Sequence, residues 1–265
     1  MLVCRLTTRD VVLAAVIASA TASSVLAAEI DFVGAGALQW WAEDLIPDFQ
    51  RTTPHTVKST FQVISVIADR VDRGDAVDLA TIADGQWEAL EKGNKIDPAV
   101  RTVIAKVGYG VFVRKGAAKP DISSVEALKR AFLNARSFAS FDPNGRGPTV
   151  PYVASVFERL GISSEMNAKT KYAGRAKPNQ PSSAPIFELV AKGDAELGVA
   201  VTSEILHAWG VELIGLIPAE LQSLIVYTAV IPRQAREPIA ARALVDFLTS
   251  PTAASRLKAS GLIEP

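Results

Sequence analysis

The chain is short of the residues on which covalent and metal chemistry most often rest. Of its 265 residues one is cysteine and two are histidine. The cysteine, Cys4, precedes an apolar run from Val11 to Ala18. With Arg5 and Arg9 ahead of that run and Val25-Leu26-Ala27 behind it, residues 1–27 have the form of an export signal cut after Ala27. Ser19, Thr21, Ser23 and Ser24 interrupt the run, which is too short for a bilayer span, and Cys4 lies on the wrong side of it to become a lipid-anchored terminus. Cys4 is therefore expected to leave with the signal. A chain without thiols is barred from disulfides, cysteine nucleophiles and thiolate metal sites, so a packed core must hold it together.

Other absences narrow the function. His55 follows Pro54 in a turn and His207 falls in a short helix; neither has metal-ligand spacing to a carboxylate or to the other histidine. No G-x-S-x-G elbow occurs. Charge of one sign is lacking too: 28 Lys and Arg balance 28 Asp and Glu, and loss of Arg5, Arg9 and Asp10 with the signal leaves −1. That balance gives no basic stripe for nucleic acid and no charged tail. Beyond the signal, the longest apolar stretches, such as Leu224 to Ile231, have strand length rather than membrane length.

The full chain is 49% hydrophobic and 21% charged, the composition of a globular protein. Its length suits one large domain or two lobes. Short β-branched runs alternate with amphipathic segments, the pattern of an α/β fold with mostly parallel sheets. Strands are expected at Ile30 to Val33, Thr56 to Phe61, Val77 to Ile82, Ser137 to Ser140, Lys169 to Ala173 and Leu197 to Val201. Helices are expected at Leu38 to Arg51, Ile64 to Arg73, Val125 to Leu133 with a Ser123 or Ser124 cap, and Thr149 to Leu160 ending at Gly161. Two further strands, Val107 to Val113 and Leu224 to Ile231, interrupt the alternation and are placed to cross between lobes, after which Ala235 to Thr249 and Ala253 to Lys258 finish the first. The expected division is lobe 1 from 28–107 and 226–265, and lobe 2 from 108–225, joined by two hinge crossings.

In such sheets a ligand lies beyond the carboxyl ends of the strands, where loops enter helices. Four junctions fit. In Gly34-Ala35-Gly36-Ala37-Leu38 backbone N–H groups can face an anion, but Gln39 stands where a dinucleotide fingerprint has its third glycine. The others are Phe61-Gln62-Val63-Ile64-Ser65, Asp142 to Thr149, and Ser182-Ser183-Ala184-Pro185. In the third, Arg146 between glycines precedes Pro148 and Thr149, placing a fixed cation beside helix-start donors. Asp75, Asp78 and Asp84 flank one strand and read as caps. Of adjacent Trp40 and Trp41, only one can face the core.

Several blocks together resemble the molybdate-binding protein family of periplasmic solute-binding proteins, the receptors of ABC importers. They are Phe32-Val33-Gly34-Ala35-Gly36-Ala37-Leu38, Val77 to Asp84, Asp142 to Leu160, Phe187 to Gly198 and Ala243 to Pro251, and the likeness spans nearly the whole chain after the signal. The resemblance implies the type 2 periplasmic binding fold, an anion held between helix N-termini in the interlobe cleft, closure about a hinge, a periplasmic location, an inner-membrane permease partner, a monomer and no cofactor. Two serine ligands of that family fall at Ala37 and Ile64, with Ser65 beside the second, and a ligand-reaching tyrosine falls at Val201. Each buried oxyanion contact left without a donor costs roughly 1–3 kcal/mol. Arg146, Thr149, Ser183 and Thr202 offer polar contacts opposite Ile64, a mixture suited to an organic carboxylate. Binding is therefore expected rather than catalysis. The competing expectation is an exported isomerase of a tricarboxylate such as aconitate, with Glu204 or Tyr152 as its base. A third, a secreted interaction protein, would show an exposed apolar patch.

Overall fold

A computed structural model of the protein describes residues 26–144, 147–174 and 182–265. Most of the expected export signal, Arg146 and most of the fourth junction's approach lie outside them. The chain begins with β1 (Glu29–Ala35), α1 (Gln39–Thr52), β2 (Thr56–Gln62), α2 (Ile64–Arg73), β3 (Leu79–Ala83), α3 (Asp84–Lys92) and β4 (Thr102–Val107). It continues with β5 (Tyr109–Arg114), α4 (Val125–Asn134), β6 (Phe138–Phe141), α5 (Thr149–Leu160), α6 (Ser163–Lys169) and β7 (Thr170–Ala173). Next come α7 (Ala184–Lys192), β8 (Leu197–Val201), α8 (Thr202–Leu206), β9 (Val211–Leu216), β10 (Ile225–Val230), α9 (Pro238–Leu248) and α10 (Pro251–Leu257).

The strands form two five-stranded sheets, ordered β2-β1-β3-β10-β4 and β7-β6-β8-β5-β9. Strands β2, β1 and β3 pair in parallel, as do β7, β6 and β8. Strand β10 runs antiparallel to both β3 and β4, and β5 antiparallel to both β8 and β9. In each sheet, then, all strands but one share a direction, and this is the mostly parallel α/β architecture expected of a two-lobed binding protein. The two reversed strands are also the ones that bring the chain from one sheet into the other.

At the first crossing the structure refines the expected single strand Val107 to Val113. Gly108 breaks it, leaving Val107 to β4 and passing Tyr109 to β5. Thr202 clamps this break: its N–H donates to Gly108 O at 3.0 Å, and its hydroxyl to Gly108 O at 3.3 Å and Gly261 O at 2.7 Å.

Local sequence accounts for many of the boundaries. Helix α2 buries Ile64, Ile67 and Val71 along one stripe and stops at Gly74, whose φ of 77° suits a residue without Cβ. Ser124 caps α4 by accepting from Ala127 N at 3.2 Å. Gly161 ends α5 as expected, with φ 64°. Where Lys169 to Ala173 reads as one strand, Lys169 instead closes α6. Its ammonium donates to the carbonyls of Phe132, Leu133 and Ala135 at 2.7–2.8 Å, satisfying the open end of α4. Helix α9 starts at Pro238 rather than Ala235, because Asp78 takes the N–H groups just before it. Asp78 Oδ1 accepts from Arg236 N at 2.8 Å and Glu237 N at 3.1 Å, while Oδ2 accepts from Asp31 N at 2.9 Å.

Each sheet is covered by helices over an aromatic-rich core. Trp41 is buried on the first, its indole N–H donating to Ala253 O at 3.1 Å, whereas Trp40 faces outward. On the second, Phe132, Phe138 and Phe157 meet edge to face with centroids 5.2–5.7 Å apart.

Candidate functional site

Between the two sheets lies a cavity of about 440 Å³. From the side of the first sheet it is lined by Ala35 to Ala37, Gln62 to Ile64, Val66, Tyr227 and Ile225, the last opening β10 of that sheet although it was expected to close lobe 2. The second contributes Phe141, Asp142, Asn144, Gly147 to Val150, Gly174, Ser182, Ser183, Val201 and Glu204.

Helix starts dominate this wall. The 3-10 turn Gly36–Leu38 and helices α2, α5, α7 and α8 all begin on it, and none has a side-chain cap: the capping positions hold Ala35, Val63, Pro148, Ser183 and Val201. Elsewhere Ser124 caps α4 and Ser250 accepts from Ala253 N at 3.3 Å to cap α10, while α1, α3, α6 and α9 have no side-chain N-cap, so what distinguishes the cavity is the convergence of starts on it. Helix N-termini carry unpaired N–H groups and a positive dipole end, so several uncapped starts around one cavity offer backbone donors to an anion.

Of the residues expected at the site, Ala37, Ile64, Thr149, Ser183 and Val201 are on the wall. Leu38 is not: its side chain is fully buried in the core beneath the turn. Ser65 stands one position past Ile64 in α2, and Ile64 takes the place on the wall. Thr202 is also off the wall, because its hydroxyl is committed to the Gly108 and Gly261 carbonyls. The expected cation contact, Arg146, lies outside the described residues.

Glu204 is the most unusual wall residue. It is only 6% exposed. Its Oε1 accepts from Ser182 Oγ at 3.1 Å, and Oε2 has no hydrogen-bond partner among the described residues. Burial pushes its pKa up from 4.5, against a smaller opposing pull from the neighbouring Ser183 and Ser182. Phenols surround it. Tyr109 stacks on Tyr152 with centroids 3.8 Å apart, and burial raises Tyr109 to about 12, with the Glu204 carboxyl adding to the rise. Burial also holds Tyr227 well above its ordinary value, and Glu204 again contributes. Tyr152 donates its hydroxyl to Leu221 O at 3.2 Å and has a raised pKa from burial and Tyr109, so it is unsuited to act as a base and is off the wall.

Sequence reasoning proposed Glu204 only as a base on a strand end. Its partnership with Ser182 had no local signal, since the two are 22 residues apart and meet only in the folded chain. Gly36 completes that contact, as a Cβ there would sit 3.3 Å from both Glu204 Oε1 and Ser182 Oγ. A second cavity of about 270 Å³ opens beyond this point, bordered by Trp40, Phe187, His207 and Trp209 and sharing Gly36 and Glu204 with the first.

Among the described residues no cluster of His, Cys, Asp and Glu could hold a metal ion, and no helix is long and apolar enough to cross a membrane.

The model of the family described as bacterial extracellular solute-binding protein matches residues 30–263. An aconitate isomerase of a Pseudomonas species is 29% identical over 197 residues, covering 74% of this chain and 71% of that protein. The molybdate-binding protein ModA of Azotobacter vinelandii is 26% identical over 261 residues, covering 91% and 92%. The solved periplasmic molybdate-binding protein of Azotobacter vinelandii superposes with a TM-score of 0.70 at 21% identity, covering 89% of this chain and 99% of that one.

Proposed function

The chain belongs to the bacterial extracellular solute-binding proteins, and from that premise we propose that it captures a small organic anion, a carboxylate, in the interlobe cavity and delivers it in the periplasm to an ABC permease. The observation that carries this reading is the set of uncapped helix starts around one cavity. Backbone donors of this kind bind oxyanions without a dedicated cation.

The lining of the cavity favours carbon on the ligand. The cavity holds about 440 Å³, and Ala37, Ile64, Val66, Phe141 and Val201 give much of it an apolar face. At the positions where the molybdate binders' serines align, Ala37 and Ile64 offer no hydroxyl. Binding closes the lobes by the ligand's greater affinity for the closed form, with no covalent step.

A second reading has its own observation. A buried carboxyl with a raised pKa on a cavity wall is the kind of group that moves protons, and Glu204 is such a group. Together with the 29% identity to an aconitate isomerase, this supports a proton shift on a bound unsaturated tricarboxylate. The test is a thermal-shift screen of the purified protein against molybdate, tungstate, sulfate, phosphate and a panel of di- and tricarboxylates, since native-state ligands raise Tm. A rise with carboxylates alone supports the proposal, and a rise with molybdate or tungstate alone overturns it. Turnover of cis- or trans-aconitate without added cofactor would favour the second reading, stoichiometric retention the first.

A further inference from the structure

We propose that Tyr227 is a ligand contact, its phenol hydroxyl donating a hydrogen bond to a carboxylate oxygen of the bound anion from the first sheet's side of the cavity. This rests on the reading that the cavity takes an organic anion.

Strand geometry aims the residue. Successive side chains of a strand point to opposite faces, and in β10 Ile225 and Tyr227 share the face that lines the cavity. Thr228 is off the wall, its hydroxyl donating to Asp84 Oδ1 at 2.9 Å. Beside Tyr227 in the sheet stand Ala83 of β3 and Ala105 of β4, whose short side chains leave the ring room.

The residue is nearly enclosed, 2% exposed, yet its hydroxyl is not sealed in. Among the described residues the buried side-chain atoms with neither a hydrogen-bond partner nor solvent surface are His55 Nδ1, Gln62 Oε1, Ser203 Oγ and Glu204 Oε2. The Tyr227 oxygen is not one of them, although no described group hydrogen-bonds to it. It therefore keeps accessible surface, and the space that the residue borders is the cavity.

The other hydroxyls of the described wall are engaged. Ser182 and Ser183 are directed at Glu204, and Thr149 at the phenol of Tyr109. Among the described wall residues Tyr227 thus holds the one hydroxyl without a partner in the protein. Burial, with Glu204 and Tyr109 adding to it, holds this phenol well above its ordinary value, so it stays protonated and serves as a donor rather than as a base. A buried donor without an acceptor is costly, and a carboxylate drawn in by the helix starts supplies one. Donors then reach a single ligand from both sides: Tyr227, the Gly36–Leu38 turn and α2 from the first sheet, and α5, α7 and α8 from the second.

The experiment compares the wild-type protein with Tyr227→Phe, which deletes the oxygen and keeps the ring. Calorimetry with tricarballylate, a saturated tricarboxylate with no double bond to shift, gives the affinity, and thermal melts without ligand give Tm. The variant should bind about 10- to 100-fold more weakly, the loss of a hydrogen bond to a charged acceptor. Its ligand-free Tm should stay within about 2 °C of wild type, because the hydroxyl bonds to nothing in the protein. NMR of protein labelled with ¹³C at tyrosine Cζ reads the contact directly: the Tyr227 signal, assigned by its loss in the variant, should shift when tricarballylate saturates the wild-type protein. Variant affinity within about threefold of wild type overturns the proposal. So does a ligand-free Tm lowered by more than about 4 °C, the mark of a hydroxyl that serves the fold, and so does a Tyr227 signal that ligand leaves unmoved. Failure of the wild-type protein to bind tricarballylate instead overturns the carboxylate reading of the cavity, and molybdate is then titrated into both proteins. Weaker molybdate binding by the variant upholds Tyr227 as the contact, whereas equal binding, or none to either protein, overturns it.

Discussion

Trp40 of α1 stacks on His207, just past α8, with ring centroids 4.8 Å apart and planes 20° from parallel. The contact joins the helix layer of the first sheet to that of the second at the border of the smaller cavity. Its neighbour Trp41 is buried in the core, so the pair of tryptophans divides its work between folding and lobe contact. A stacked aromatic pair contributes about 0.5–1.5 kcal/mol beyond burial. Trp40→Phe is therefore expected to weaken ligand binding about 2- to 10-fold, by that energy, with Tm nearly unchanged. It should also remove most of the tryptophan fluorescence change on ligand addition. An unaltered fluorescence change would show that the lobes close without moving this pair.

Ala37 and Ile64 face the cavity where hydroxyl donors would serve a tetrahedral oxyanion. Ala37→Ser with Ile64→Ser should raise molybdate affinity, each new hydroxyl contributing on the order of 1 kcal/mol. Carboxylate affinity should fall as the apolar face is lost. Equilibrium dialysis with both ligands measures the exchange, and unchanged molybdate affinity would place the selectivity elsewhere.

Glu204 also leaves a mark on stability. Its folded pKa lies above the ordinary 4.5, so the folded protein keeps a proton that the unfolded chain releases. That contribution is fully present below pH 4.5 and is lost as pH rises toward the folded pKa. Glu204→Gln, with no proton to lose, should therefore gain on wild type through that window and level off above it. Urea unfolding of both proteins at several pH values checks the direction; a variant that loses stability as pH rises would contradict it.

Asp78 holds three backbone N–H groups, from Asp31, Arg236 and Glu237, while fully buried. Asp78→Ala should cost roughly 3–5 kcal/mol, because it strands buried donors that tie β1 to the start of α9. Chemical denaturation gives the figure directly. A loss below about 1 kcal/mol would mean that water replaces the carboxylate.

The architecture was legible where local pattern and tertiary demand agree. The stripe of Ile64, Ile67 and Val71, the Ser124 cap and the Gly161 stop all lie within a few residues of the features they determine. Strands β4 and β9 escaped notice because their alternation is weak and each is defined by a partner far along the chain. Strand β4 pairs with β10, and β9 with β5. Site residues divided the same way. Ala37, Ile64, Thr149 and Ser183 lie at junctions that the sequence marks, Val201 was named from the resemblance alone, and all five are on the wall. Thr202 was expected as a polar contact, yet its hydroxyl is claimed by Gly108 and Gly261, the second of them 59 residues away. The bond between Ser182 and Glu204 likewise comes from packing rather than spacing.

Strand β10 sits between β3 and β4, and nothing else in the first sheet joins those two. Until residue 230 is available, β4 has no neighbour in its own sheet and β3 keeps an open edge, although both were made well over 100 residues earlier. An assembly that waits on so distant a segment folds slowly, since the cost of closing the long loop precedes its reward. The first sheet is thus finished last, whereas the second, built wholly from residues 109–216, has every strand it needs before β10 is made.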